Sequence, residues 1–90
     1  MSEIDRTVTI RNRLGLHARP AGEFVKTATR FSCKITISKG DLEVNGKSIM
    51  GVMTLAAECG SRVTVRAAGD DAEMAVDALA EVLDREFGDL

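Results

Sequence analysis

Leu14-Gly15-Leu16-His17-Ala18-Arg19-Pro20-Ala21 contains the only histidine and the only proline of a 90-residue chain, with two residues between them. From Ala21 the apolar residues Ala21, Phe24, Val25, Ala28 and Phe31 recur at helical spacing, which predicts a helix from about Ala18 to about Arg30. Glu23, Lys26, Thr27 and Arg30 then form its wet side. Pro20 falls in the first turn, where the missing N–H costs little because the leading amides of a helix have no intrahelical carbonyl to bond. His17 is thereby set at or just before the helix start.

That location has a chemical consequence. The free N–H groups and the positive end of the helix dipole favour an anion by about 0.3–1 kcal/mol from the dipole alone. A phosphoryl group on the imidazole suits such a place, and Arg19 carries a planar fork matched to phosphate or to an acidic partner. Two readings stand on these residues: a nucleophile with an anion-binding backdrop, or a histidine that only caps a helix. The local chemistry permits phosphoryl transfer without requiring it.

Working outward, Thr7-Val8-Thr9-Ile10 alternates polar and apolar and predicts a half-buried strand with Val8 and Ile10 inward. Cys33 to Ile37 and Leu42 to Val44 form a second and third strand, a hairpin turned through Gly40. Asn45-Gly46 makes the next turn, and Ser48 opens a short helix to about Ala56 as its N-cap. In that helix Ile49, Val52 and Leu55 or Ala56 supply the inward stripe. A fourth strand places Val63, Val65 and Ala67 inward, with Arg62, Thr64 and Arg66 outward. Asp70 with Glu73 reads as a capping box for a last helix that buries Val76, Leu79, Val82 and Leu83. The order βαββαβα, with strands wet on one face, implies an α+β fold with a largely antiparallel sheet and all helices on one side.

Gly15-Leu16-His17-Ala18-Arg19-Pro20-Ala21, together with Asn45-Gly46-Lys47-Ser48-Ile49-Met50-Gly51-Val52-Met53, resembles the histidine-containing phosphocarrier family HPr of the bacterial phosphotransferase system. The likeness covers nearly the whole chain. It implies an open-faced sandwich of four antiparallel strands in the order 1-4-2-3 with three helices on one face. It further implies that His17 takes a phosphoryl group, originally from phosphoenolpyruvate, from enzyme I at Nδ1 and passes it to IIA domains. Ser48 matches a regulatory serine phosphorylated in many relatives by HPr kinase/phosphorylase, which makes that kinase a further implied partner. The plain N-cap role of Ser48 stands beside this one. Met50 and Met53 either fill a small core or present an adaptable surface to partners. The resemblance favours a shared partner face of His17, Ala18, Arg19, Pro20, Lys47, Ile49, Met50 and Met53.

Composition bounds the alternatives. Ninety residues make one domain, 1–90. The net charge of −2 argues against a nucleic-acid binder, and a local basic group of Arg11, Arg13 and Arg19 around His17 fits an acidic protein partner better. Ferredoxin-like RNA-binding domains share the βαββαβ pattern but read bases with strand aromatics, which these strands lack. Cys33 and Cys59 have no Cys-x-x-Cys partner and no second histidine, so they read as free thiols of a reducing cytosol and no metal or other cofactor is implied. No apolar run approaches the roughly 18 residues that span a bilayer. The expectations are a cytoplasmic, monomeric carrier that is not itself an enzyme. The motifs leave open the sugar branch, the nitrogen-related branch, and a regulatory binding module that acts through Ser48 without transferring phosphate.

Overall fold

The structure, a computed structural model, describes residues 3–87. Its elements are β1 (Glu3–Thr9), α1 (Ala18–Ala28), β2 (Lys34–Lys39), β3 (Leu42–Asn45), α2 (Ile49–Thr54), β4 (Arg62–Ala68) and α3 (Ala72–Asp84). The four strands form one sheet in the order β1-β4-β2-β3, with every neighbouring pair antiparallel. The order 1-4-2-3 that the resemblance implies is therefore observed.

Alternation explains why the sheet has one dry face. Val63, Val65 and Ala67 of β4 are buried beside Ile35 and Ile37 of β2, because residues two apart on a strand share a face. The α3 residues Ala75, Val76, Leu79, Val82 and Leu83 and the α1 residues Ala21, Phe24 and Ala28 complete the core. Phe24 is its largest fully buried side chain, so truncation to alanine costs about 3–5 kcal/mol. The other face is polar: Thr7 and Thr64 hydroxyls meet at 2.9 Å across β1 and β4, and Arg66 stands 3.7 Å from Asp5 and 3.5 Å from Glu43.

Val8 packs against the core as expected, half-buried because β1 is an edge strand. Two local expectations change. Thr27 is buried rather than wet, because it lies three residues after Phe24 and four before Phe31 and so joins the apolar stripe. No capping box forms from Asp70 and Glu73: the N-cap of α3 is Asp71, and its carboxylate makes no bond to its own helix.

That carboxylate instead accepts the backbone N–H groups of Ser32 at 2.9 Å and Cys33 at 3.0 Å, tying the start of α3 to the chain entering β2. The Ser32 amide, followed by the contact with Cys33, holds the Asp71 carboxyl below the usual carboxylate range. Burial pushes the Cys33 thiol up, and its hydrogen bond to Asp71 adds to the shift. Cys33 and Cys59 are both free thiols, the first buried and the second exposed.

Candidate functional site

The chain enters the site from β1 through a turn at residues 12–15. Gly15 donates its N–H to the Asn12 carbonyl at 2.9 Å, and the Asn12 side-chain amide donates to the Gly15 carbonyl at 2.8 Å. Gly15 has φ +73°, and a Cβ there would stand 2.5 Å from the Ala57 carbonyl oxygen. Only glycine satisfies both conditions without strain. Leu16, buried, then donates its N–H to that same Ala57 oxygen at 2.8 Å.

His17 follows as the N-cap of α1, with extended backbone (φ −80°, ψ −169°) and its carbonyl accepting the Ala21 N–H at 2.9 Å. Its side chain makes no capping hydrogen bond. The imidazole is thus spared from the local backbone bond that Ser, Thr, Asp or Asn would make here. Among the described residues, His17 Nε2 is the one buried side-chain nitrogen or oxygen without a hydrogen-bond partner. Nε2 is thus buried by the fold within a half-buried imidazole.

Ala18 and Arg19 are exposed at the start of α1. Across from them, the Cβ position of Gly22 lies 3.8 Å from Ile49 Cδ1. Ala18 and Gly22 are four residues apart on one helix face, which brings the start of α2 alongside the His17 end of α1. Ile49, Met50 and Met53 are all exposed there, Met50 at 72%, whereas Val52 and Leu55 face the core. The two motifs therefore form one surface, and the open question of Met50 and Met53 resolves to an outward position. Ile49, assigned both to the inward stripe and to the partner face, is exposed; in a six-residue helix Val52 and Leu55 already fill the core side.

Two members of the expected partner face point elsewhere. Pro20 is buried at the third position of α1, on the same side as Ala21 and Phe24, so it seats the helix and presents no surface. The Lys47 ammonium donates to the Phe31 carbonyl at 2.6 Å, a bond that fastens the β3–α2 turn to the end of α1. Arg11 also turns away, its guanidinium 3.8 Å from Asp84 on α3. Ser48 stands as predicted at the N-cap of α2, its hydroxyl accepting the Gly51 N–H at 3.1 Å.

Asn12 was missed from the sequence. Asparagine followed three residues later by glycine is a turn signal, and Asn12-Arg13-Leu14-Gly15 carries it directly before the histidine.

Among the described residues no group of three or more His, Cys, Asp or Glu side chains could hold a metal ion, and no helix is long and apolar enough to cross a membrane. The fold and site define a class: an open-faced β-sandwich that displays an uncommitted histidine at a helix start beside an exposed apolar turn of helix. The chain belongs to the HPr family of phosphotransferase-system phosphocarriers, whose model, described as the PTS HPr component phosphorylation site, matches residues 4–85. It is 42% identical to phosphocarrier protein HPr of Xylella fastidiosa over 86 residues, 96% of this chain and 97% of that one. Phosphocarrier protein NPr of Shewanella violacea is 37% identical over 87 residues, 97% of this chain and 96% of that one. The crystal structure of HPr from Bacillus anthracis superposes with a TM-score of 0.87 at 43% identity, over 92% of this chain and 99% of that one. An HPr dimer from Thermoanaerobacter tengcongensis, 46% identical over 93% of this chain and 94% of that one, superposes with a TM-score of 0.72.

Proposed function

We propose that His17 accepts a phosphoryl group at Nδ1 from phosphorylated enzyme I, which draws it from phosphoenolpyruvate, and donates it to IIA domains of the sugar branch. The observation that carries this reading is the helix-capping position of His17, free of any side-chain bond and with Nε2 buried. In the accepting step the Nδ1 lone pair attacks phosphorus in line while the bond from phosphorus to the nitrogen of enzyme I breaks and its electron pair stays with that nitrogen. In the donating step the nucleophile of the IIA domain attacks and the Nδ1–phosphorus bond breaks, its electron pair returning to Nδ1. Such transfer needs positioning and charge stabilisation more than covalent help from the carrier. An exposed helix start supplies these moderately, so the group is held without being trapped.

Arg19 neutralises the added dianion and, with Ala18, Ile49, Met50 and Met53, meets the partner proteins. Ser48 serves as a regulatory phosphorylation site for a kinase of the HPr kinase/phosphorylase type, because added charge at a helix start leaves the fold standing while changing that surface. Residues 1–90 work as one monomeric domain in the cytoplasm, and sedimentation at micromolar concentration tests the monomer against the dimer seen for the Thermoanaerobacter relative. The second reading is service to the nitrogen-related branch, favoured by the identity shared with the Shewanella NPr.

The test is phosphoenolpyruvate-dependent labelling by enzyme I from the same organism, with His17→Ala alongside, read by intact mass before and after brief acid treatment. One acid-labile phosphoryl group on the wild type and none on the variant is the expected result. An unlabelled wild type in the presence of active enzyme I overturns the carrier reading.

A further inference from the structure

The peptide group joining Gly15 to Leu16 is held from both sides. Its carbonyl oxygen accepts the Asn12 side-chain amide at 2.8 Å, and its N–H donates to the Ala57 carbonyl at 2.8 Å. This peptide lies directly before the residue that precedes His17, so its orientation sets where the imidazole leaves the backbone. Asn12 is only 2% exposed, and its remaining oxygen, Oδ1, accepts the backbone N–H of Phe87 at 2.8 Å. The orientation of the amide is fixed by these partners, a donor on one side and an acceptor on the other. One buried side chain thus ties the turn before the histidine to a segment 75 residues away, just past the end of α3.

We infer that Asn12 is a positioning residue for phosphoryl transfer at His17, and that the segment ending at Phe87 acts through Asn12 as a latch on the site. The Asn12 amide fixes the Gly15–Leu16 peptide; the Phe87 amide in turn fixes Asn12. Neither residue touches the phosphoryl group. When the latch opens, the turn keeps its Ala57 anchor but loses the bond that orients the peptide, and the imidazole samples geometries away from in-line attack. The inference rests on His17 being the acceptor, and the experiment separates the two claims.

Three variants are compared with the wild type below their melting temperatures. Asn12→Asp keeps an acceptor for Phe87 but turns a donor into a carboxylate oxygen facing the Gly15 carbonyl. Phe87→Pro removes the N–H of the latch together with the ring that packs against the core and under Arg85, a loss of stability that the third variant controls for. Asp71→Asn weakens the fold at the far end of the sheet and reports what a stability loss alone does. With enzyme I and phosphoenolpyruvate, Asn12→Asp should accept the phosphoryl group about tenfold or more slowly, as a small misplacement of reacting groups allows, and Phe87→Pro a few-fold more slowly. Asp71→Asn should keep the wild-type rate. The imidazole NMR signals of His17 and the hydrogen exchange of the Leu16 amide should change in the first two variants and not in the third.

Asn12→Asp with wild-type rate and wild-type His17 signals overturns the positioning role. A wild-type rate in Phe87→Pro overturns the latch. Equal slowing in Asp71→Asn reduces the effect to stability and overturns both. A wild type that takes no phosphoryl group overturns the carrier reading itself, while the NMR and exchange comparisons still decide whether Asn12 and Phe87 hold the loop.

Discussion

His17 and Asp71 occupy the same position in different helices, the N-caps of α1 and α3, and neither side chain bonds its own helix. They differ in what the side chain does instead. The Asp71 carboxylate reaches back to two amides at the entry to β2, a connection 38 and 39 residues long in sequence, and so joins the outer helix to the sheet. The His17 imidazole is given no partner, and the work of holding its loop passes to Asn12, Gly15 and Ala57. One end of the molecule uses a cap residue for stability. The other takes its stability from neighbours and leaves the cap residue's side chain without a capping bond.

The largest effect expected from this contrast is at His17. Replacing it with alanine should abolish phosphoryl acceptance and leave the melting temperature near that of the wild type, because no side-chain hydrogen bond is lost. Circular dichroism on heating and the mass assay together check this. A variant that unfolds at ambient temperature would show that the ring supports the fold, and the contrast with Asp71 would fail.

Each cap region also depends on a glycine at positive φ pressed against a neighbour. A Cβ on Gly15 (φ +73°) would meet the Ala57 carbonyl oxygen at 2.5 Å, and a Cβ on Gly69 (φ +147°) would meet Cys33 Cβ at 2.7 Å and Cα at 2.9 Å. Alanine at either position should cost about 2–3 kcal/mol or more, combining the left-handed penalty with displacement of backbone. Both variants should therefore melt at least about 10 °C lower. They should part in activity: below its melting temperature Gly69→Ala should still accept phosphate at the normal rate, while Gly15→Ala should be slow. Equal activity in the two would mean that the Gly15 loop need not be held where it is.

Acid sharpens the Asp71 side of the comparison. Its folded carboxyl titrates below the usual range because the Ser32 amide, then the Cys33 contact, favours the charged form. Stability from this group is therefore fully present above the unfolded carboxylate pKa of about 3.9 and is lost as pH falls through the lower folded value. Asp71→Asn should melt earlier at neutral pH and show a shallower fall between about pH 5 and pH 2. An unchanged acid profile would mean that other carboxylates carry the transition.

How legible these regions were follows from how local their determinants are. The strand pattern Val63, Val65, Ala67 and the Ser48 cap depend on residues within a few positions of one another, and the sequence showed both. The Asp70–Glu73 capping box failed because the neighbouring Asp71 is engaged by Ser32 and Cys33, contacts that no local pattern contains. Lys47 was placed on the partner face for its charge, yet its ammonium donates to the Phe31 carbonyl, 16 residues earlier and before the β2–β3 hairpin. Pro20 was read as surface because it adjoins the histidine, but one further step around the helix faces the core. The helix-start position of His17 was legible because it depends only on the adjacent Pro20 and the apolar stripe that follows. Its support was not, since the Asn12 bond to Phe87 spans nearly the whole chain.

Ser48 provides the third helix start and the smallest effect. It caps in the ordinary way, its hydroxyl accepting the Gly51 N–H at 3.1 Å, so its side chain is neither diverted to a distant segment nor left unbonded. Ser48→Ala should cost about 1 kcal/mol, lowering the melting temperature by about 4–8 °C, and should leave transfer from enzyme I unchanged. Ser48→Asp keeps an oxygen for the Gly51 amide and adds negative charge where the helix dipole favours it, so it should recover most of that stability. The same charge stands beside Ile49 and Met50 on the surface proposed to meet partners, and should slow transfer several-fold where the alanine variant does not. If aspartate restores stability and also transfers at the wild-type rate, the serine is a helix cap and nothing more.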